Sequence, residues 1–361
     1  MNVPERLLLG PGPSPISGRV MQAMAAPVLS HLDPAMMAIL DDLRQRLGSV
    51  FGAADGSFSF AVSGTGTSGM ETAVANVTEP GRRALVVVTG YFGDRLAQMF
   101  ERYGASVSRV DGEWGKACDP QRVADALAAN GADIVAVVHG ETSTGVVNPV
   151  EQIAAAARQH GALTVVDAVT TLGGVPLDVG RWGVDVCYSC SQKGLGAPSG
   201  MAPISFSARA LERRVTCRSF YFDLGLLRDY WVDRKYHHTI AAPLVYALSE
   251  ALQVVQEEGL QARWERHRRH HLALLAGLGK LGLSLLPPAG ERLWTLNAVR
   301  VPVGVQEPLV RRRLLDEFGI EVGAGLGPLA GQIWRVGLMG SGSTSSNVLL
   351  FLAALDDILH S

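Results

Sequence analysis

Cysteine is scarce in this chain, with four in 361 residues: Cys118, Cys187, Cys190 and Cys217. A number so small for the length does not make a disulfide framework. Cys187 and Cys190 form a C-x-x-C, but inside an apolar run with no second pair and no histidines at metal-ligand spacing, so redox and zinc roles are set aside. Charge of one sign is also missing. Lys plus Arg number 32 against 34 Asp plus Glu, a net charge of -2, which leaves no electrostatic footprint for nucleic acid or an anionic membrane. No apolar run approaches the length of a membrane span, and Leu7 to Leu9 is too short for a signal peptide, so a cytoplasmic protein acting on small molecules is expected. Lysine is scarcer than its charge class suggests. Of Lys116, Lys193, Lys235 and Lys280, only Lys193 sits where an amine has a use, after the apolar segment that ends in Tyr188 and the polar Ser189-Cys190-Ser191-Gln192.

What is present is a large apolar fraction, 47% of residues, enough to bury one big domain or two unequal ones. Short β-branched runs alternate with helical patterns: Ala84 to Val88, then Tyr91 to Tyr103; Ile134 to Val138, then Pro149 to His160; Leu163 to Asp167; Val184 to Tyr188. Continuous apolar strands of this kind predict a mostly parallel, doubly wound α/β sheet covered on both faces. From about Pro243 the texture changes to one long helical stretch through Leu272. A strand over 295–301, a helix over 307–318, a strand around 333–336 and a final helix over 345–359 follow. This predicts a large domain over 1–245 and a smaller α+β domain over 246–361. There is no internal repeat and no low-complexity tail.

In open α/β sheets the ligand lies beyond the carboxyl ends of the strands, so polar residues there are the candidates. Ser63-Gly64-Thr65-Gly66-Thr67-Ser68-Gly69 precedes a helical pattern and reads either as a plain turn or as a phosphate cradle, in which small residues and a helix N-terminus receive an anion. It is not a Walker loop, because no Gly-Lys-Ser/Thr follows. Gly90-Tyr91-Phe92-Gly93 offers an aromatic for core packing or for stacking on a flat ligand. His139 to Gly145 is a dense polar patch. Asp167 ends a strand so apolar that its carboxylate needs a cation, either a structural partner or a protonated ring nitrogen. Cradle, stacking ring, carboxylate and reactive lysine, in that order, describe a site for pyridoxal phosphate.

Seven stretches carry a resemblance that spans essentially the whole chain: Leu9-Gly10-Pro11-Gly12-Pro13, Ser63 to Thr67, His139 to Gly145, Val166-Asp167-Ala168-Val169, Ser191-Gln192-Lys193, Tyr236-His237-His238-Thr239 and Trp334-Arg335-Val336-Gly337. Each is weak alone. Together they resemble class V aminotransferases of the fold-type I pyridoxal-phosphate enzymes, in the alanine/serine-glyoxylate branch. The resemblance implies that Lys193 holds the cofactor as a Schiff base and moves the proton, that Asp167 pairs with the pyridine nitrogen, and that Phe92 stacks on the ring with Ser143 near its hydroxyl. Thr65, Gly66, Thr67 and Gln192 would bind the phosphate, with Tyr236 and Thr239 donated by the other subunit of a homodimer. Arg335, with the backbone of Gly10, would bind the substrate carboxylate; Ser143 would line the substrate side.

His237 and His238 read as packing or interface residues, and His267-Arg268-Arg269-His270-His271 as a solvated helix face. Two departures narrow the expectation. Position 92 is Phe where animal alanine-glyoxylate enzymes carry Trp. The chain also resembles ureidoglycine-glyoxylate aminotransferases at Glu113-Trp114-Gly115 and Gly327 to Gly331, but has Tyr236 and His31 where that branch tends to have Asn and Gln. The expected reaction is therefore transfer of an amino group from alanine or serine to glyoxylate, with ureidoglycine as the alternative donor. A cysteine desulfurase would need a mobile catalytic cysteine in a flexible loop, and none of the four lies in one.

Overall fold

The apolar runs lie side by side, as strands buried on both faces must. In the computed structural model, which describes residues 3–360, a seven-stranded sheet runs in the spatial order Phe58–Ser63, Met201–Phe206, Val186–Tyr188, Leu163–Asp167, Ile134–Val138, Arg83–Val88, Ser106–Asp111. Met201–Phe206 is antiparallel to both neighbours. The other pairings are parallel. Every residue of Ile134–Val138 and Leu163–Asp167 is buried, because helices such as Gly66–Val77, Tyr91–Arg102 and Val150–Gln159 pack on the sheet. The chain is thus an α/β protein built on a large, mostly parallel sheet. Strand Arg83–Val88 has Ser106–Asp111 on one side and Ile134–Val138 on the other, and this reversal opens a crevice at their carboxyl ends.

A second core is built from Leu274, Leu278, Val299, Val310, Trp334, Val336, Phe351 and Leu355. It packs around a three-stranded sheet in which Leu296–Arg300 and Ile333–Gly337 pair antiparallel, flanked by Gly323–Ala324. The two cores do not each draw on one continuous stretch of chain. Helix Ala242–Glu258 puts Leu248, Leu252 and Val255 into the large core, whereas Leu9, at the other end of the chain, is buried in the second. Leu7–Leu8 pairs with Ile320–Glu321, which carries the entry segment across to the small sheet.

The single long helix expected after Pro243 is two. Gly259, with φ of 78°, separates Ala242–Glu258 from Leu260–Lys280, a backbone conformation that glycine adopts without steric cost. The histidine-rich face is also not solvated: His267, His270 and His271 are buried. His267 donates from Nδ1 to the Arg263 carbonyl at 2.8 Å and accepts the Gly340 amide at Nε2, 3.1 Å away. His271 pairs with Asn297 at 2.6 Å. The helix therefore turns these rings inward, where both ring nitrogens of His267 and of His270 find partners. No described helix is long and apolar enough to cross a membrane.

Candidate active site

Beyond the carboxyl ends of the strands lies a cavity of about 140 Å³, lined by the ends of four separate elements. At one wall Asp167 ends its strand with a carboxylate only 3% exposed. Oδ1 accepts the Val169 amide at 2.8 Å and Oδ2 accepts the Tyr188 hydroxyl at 2.8 Å. Burial nevertheless pushes its pKa up to about 6, against the pull of those donors and of Lys193. A cation brought against Asp167 would reverse that cost.

Lys193 lines the same cavity, with its Nζ donating to the Pro11 carbonyl. Burial pushes the amine below the ordinary lysine value; Cys190 and Asp167 pull it partly back, and the charge of Arg335 adds to the lowering. A partly desolvated lysine of this kind is a nucleophile and a proton carrier. The entry segment holds it there: Ser14 Oγ donates to the Lys193 carbonyl at 2.8 Å, and Gly12 packs against the lysine side chain.

Thr65, Gly66 and Thr67, which also line the cavity, open helix Gly66–Val77, and the Thr65 side chain does not cap it. The first amides of that helix are left for an anion. A Cβ on Gly66 would come within 2.9 Å of Val169 Cγ2, so the cradle takes only glycine there without a shift. Gln192 borders it with its side-chain oxygen buried and unpartnered. Phe92 lines one face, and the Arg95 guanidinium sits 5.1 Å from the Phe92 ring centre on helix Tyr91–Arg102.

Ser143 is not among the lining residues; the neighbouring Thr142 is. The Ser143 hydroxyl is consumed instead by the Glu141 carboxylate at 2.6 Å, and its oxygen accepts the Tyr91 amide at 3.0 Å. Glu141, wholly buried, also takes the Gly93 amide at 3.1 Å and so anchors the start of the helix that carries Phe92. The sequence pointed to the polar patch but not to the residue in it that faces the cavity. It also gave no sign of Tyr188 or Arg95, since an aromatic in an apolar strand and one arginine among many carry no signal of direction.

Arg335, on strand Ile333–Gly337, is 7% exposed. Its Nε donates to the Ala324 carbonyl at 2.6 Å and Nη1 to the Thr142 carbonyl at 3.4 Å. No carboxylate lies within 4 Å of it among the described residues. Burial lowers its pKa to about 10, partly offset by the fields of Glu141 and Glu321. This is a buried fork with charge to spare for an incoming anion. Tyr236 and Thr239 do not line this cavity; Tyr236 is 64% exposed and leans on the ring of His31, 5.1 Å away. His237 stacks on Phe220, and His238 reaches Ser63 Oγ at 3.1 Å. Cys190 borders the cavity, but burial pushes its thiol up to about 12, and burial raises the Cys187 thiol well above its ordinary value too.

Similarities to known proteins agree with this geometry. The chain is 38% identical to the (S)-ureidoglycine-glyoxylate transaminase of Bacillus subtilis, over 99% of this chain and 91% of that protein. It is 36% identical to the alanine-glyoxylate aminotransferase of Drosophila melanogaster, over 99% and 93%. Among solved structures, an alanine-glyoxylate aminotransferase from Nostoc sp. superposes with a TM-score of 0.97 at 45% identity, covering 99% of this chain and 96% of that one. Residues 8–335 match the family described as Aminotransferase class-V, and with a lysine, a buried carboxylate and an uncapped helix N-terminus around one cavity, the chain belongs to that family.

Proposed function

We propose that the chain is a pyridoxal 5′-phosphate-dependent transaminase that moves the amino group of alanine or serine to glyoxylate, giving glycine and pyruvate or hydroxypyruvate. The observation that carries this reading is that Lys193, Asp167 and the uncapped helix start at Gly66 line one cavity. The residues fit the cofactor: the glycine cradle and free amides suit a phosphate, and the buried Asp167 carboxylate suits a protonated ring nitrogen. Bound there, pyridoxal phosphate would supply the electron sink for the substrate α-carbon.

The chain's own residues do the rest. Lys193 Nζ would anchor the cofactor and, once released, carry the proton from the substrate α-carbon. Asp167 would keep the ring nitrogen protonated, and Tyr188 and the Val169 amide hold its carboxylate in place. Gly66, Thr65, Thr67 and Gln192 would hold the phosphate, Phe92 the ring face. Thr142, which lines the cavity, would stand near the ring, while Ser143 braces Glu141. Arg335 would bind the substrate carboxylate through its fork, with the Gly10 amide beside it.

Tyr236 and Thr239 complete the phosphate site only from a second copy. The exposure of Tyr236, together with that of Phe220 and Val28, supports a homodimer with shared sites. Alanine or serine is favoured over ureidoglycine because the adjoining His31 and Tyr236 replace the amide side chains of the ureidoglycine branch. A desulfurase reading is not supported: none of the four cysteines is exposed, and burial raises the thiol pKa of each.

The test is a half-reaction panel. Yellow holoenzyme is mixed with alanine, serine, ureidoglycine or cysteine, and bleaching of the cofactor is followed. Alanine or serine should convert it and glyoxylate should restore it. Lys193→Ala should lose both the bound-cofactor colour and turnover, and retained turnover in that variant would sink the reading.

A further inference from the structure

The Gly10 amide is claimed twice. In the reading above it assists Arg335 with the substrate carboxylate, yet the Glu321 carboxylate lies against Gly10, whose amide favours its charged form. The side chain lies so close over Gly10 that a methyl group on the glycine Cα would collide with both carboxylate oxygens. This approach is fixed by the backbone: Glu321 pairs with Leu8, and its carbonyl accepts the Leu9 amide at 2.9 Å. The next residues of the entry segment reach the chemistry directly, through the Pro11 carbonyl on Lys193 Nζ.

Glu321 has no ion-pair partner within 4 Å among the described residues, and neither does Arg335. Each feels the other's field nonetheless, and Arg311 adds to that on Glu321. The carboxylate is half-buried, and burial holds its pKa above the ordinary value despite the Gly10 amide. An anion at this place is expensive to keep unless something requires it. A side-chain carboxylate that sits on one of the two groups reserved for a substrate carboxylate is an internal imitation of the substrate.

We propose that Glu321 is an internal competitor of the substrate's α-carboxylate: it holds the Gly10 amide in the unliganded enzyme and yields it when substrate binds Arg335, so that its charge sets the affinity of the site for carboxylates. The inference rests on the assignment of Arg335 and Gly10 to the substrate carboxylate. One N–H serves one carboxylate oxygen well, and a second carboxylate arriving beside the first is repelled by it. Displacement is needed equally before and during the reaction. It therefore raises KM and leaves kcat unchanged.

The test uses holoenzyme of the wild type, Glu321→Gln and Glu321→Ala, each checked for cofactor absorbance and melting temperature. Sodium acetate, an unreactive carboxylate, is titrated and its binding read from the change in absorbance of the bound cofactor; KM and kcat for alanine are measured in parallel. The expected result is acetate binding at least about fivefold tighter in both variants, the alanine KM lower by a similar factor and kcat within about twofold. If either variant fails to fold, the other still decides. Unchanged or weaker acetate binding in a coloured, folded variant overturns the proposal alone. A wild type that takes up no cofactor overturns the transaminase reading and this inference with it.

Discussion

Asp167 shows how much one residue can reveal. A carboxylate at the end of an otherwise apolar strand is legible in sequence because burying it without a cation is costly. The structure adds how it is kept there: the Tyr188 hydroxyl and Val169 amide each satisfy one oxygen. These donors make Asp167→Asn a clean probe, because the amide oxygen can keep one donor while the charge is lost. Turnover should fall by about a thousandfold or more, the scale of losing a preorganised charge at the reacting group. The melting temperature of the cofactor-free protein should stay within a few degrees, and steady-state kinetics beside a thermal melt would check both. Ser143 marks the opposite limit. Periodicity gives direction in a strand or helix, but in the turn from Glu141 to Gly145 adjacent residues point where the local hydrogen bonds send them. Thr142 therefore reaches the cavity and Ser143 does not.

At the scale of elements, the parallel strands were legible because each is a continuous apolar run. Strand Met201–Phe206 was not, since Pro203 within Met-Ala-Pro-Ile-Ser-Phe breaks the usual signal. Helix Leu260–Lys280 misled for another reason: Arg263, His267, His270 and His271 on it are buried, with Arg263 and His267 satisfied by loops distant in sequence. The stretches shared with the ureidoglycine branch turn out to touch one another. A Cβ on Gly327 would meet the Trp114 ring at 3.1 Å, and Trp114 packs with Leu329 and Ile333, so these motifs serve packing. Helix Gly66–Val77 depends on its start, where Gly66 faces Val169. Gly66→Ala adds a methyl at the cradle without altering the core. It should weaken pyridoxal phosphate binding by about tenfold, roughly the cost of a modest steric shift. Titration of apoprotein with cofactor, followed by absorbance, would measure it; unchanged affinity would mean that the phosphate sits elsewhere.

For the whole molecule, two cores are held together by buried polar groups, and this makes stability depend on pH. His139 and His238 are pushed down to about 4 and His267 to about 3, each mainly by burial; His270 and His271 are lowered in the same way. The native state keeps these rings neutral, whereas the unfolded chain protonates them near the ordinary histidine value of 6.5. Below that pH the unfolded state binds protons that the native state refuses. Their contribution is therefore complete above about pH 6.5 and is lost as pH falls. Asp167 acts in the other direction: with its pKa raised from 3.8 to about 6, the native state takes up its proton first. Glu141 and Glu321, also raised by burial, act as Asp167 does, and three carboxylates against five histidines leave two histidines uncompensated. The urea midpoint of the cofactor-free protein should fall steadily from pH 6.5 to 4.5, each uncompensated histidine contributing up to about 1.4 kcal/mol per pH unit. His267→Gln should lower the midpoint at pH 7.5, because the Gly340 amide and Arg263 carbonyl lose their partner, and should flatten the slope below pH 6.5. A midpoint that rises or stays level on acidification would show that the buried histidines accept protons in the folded state.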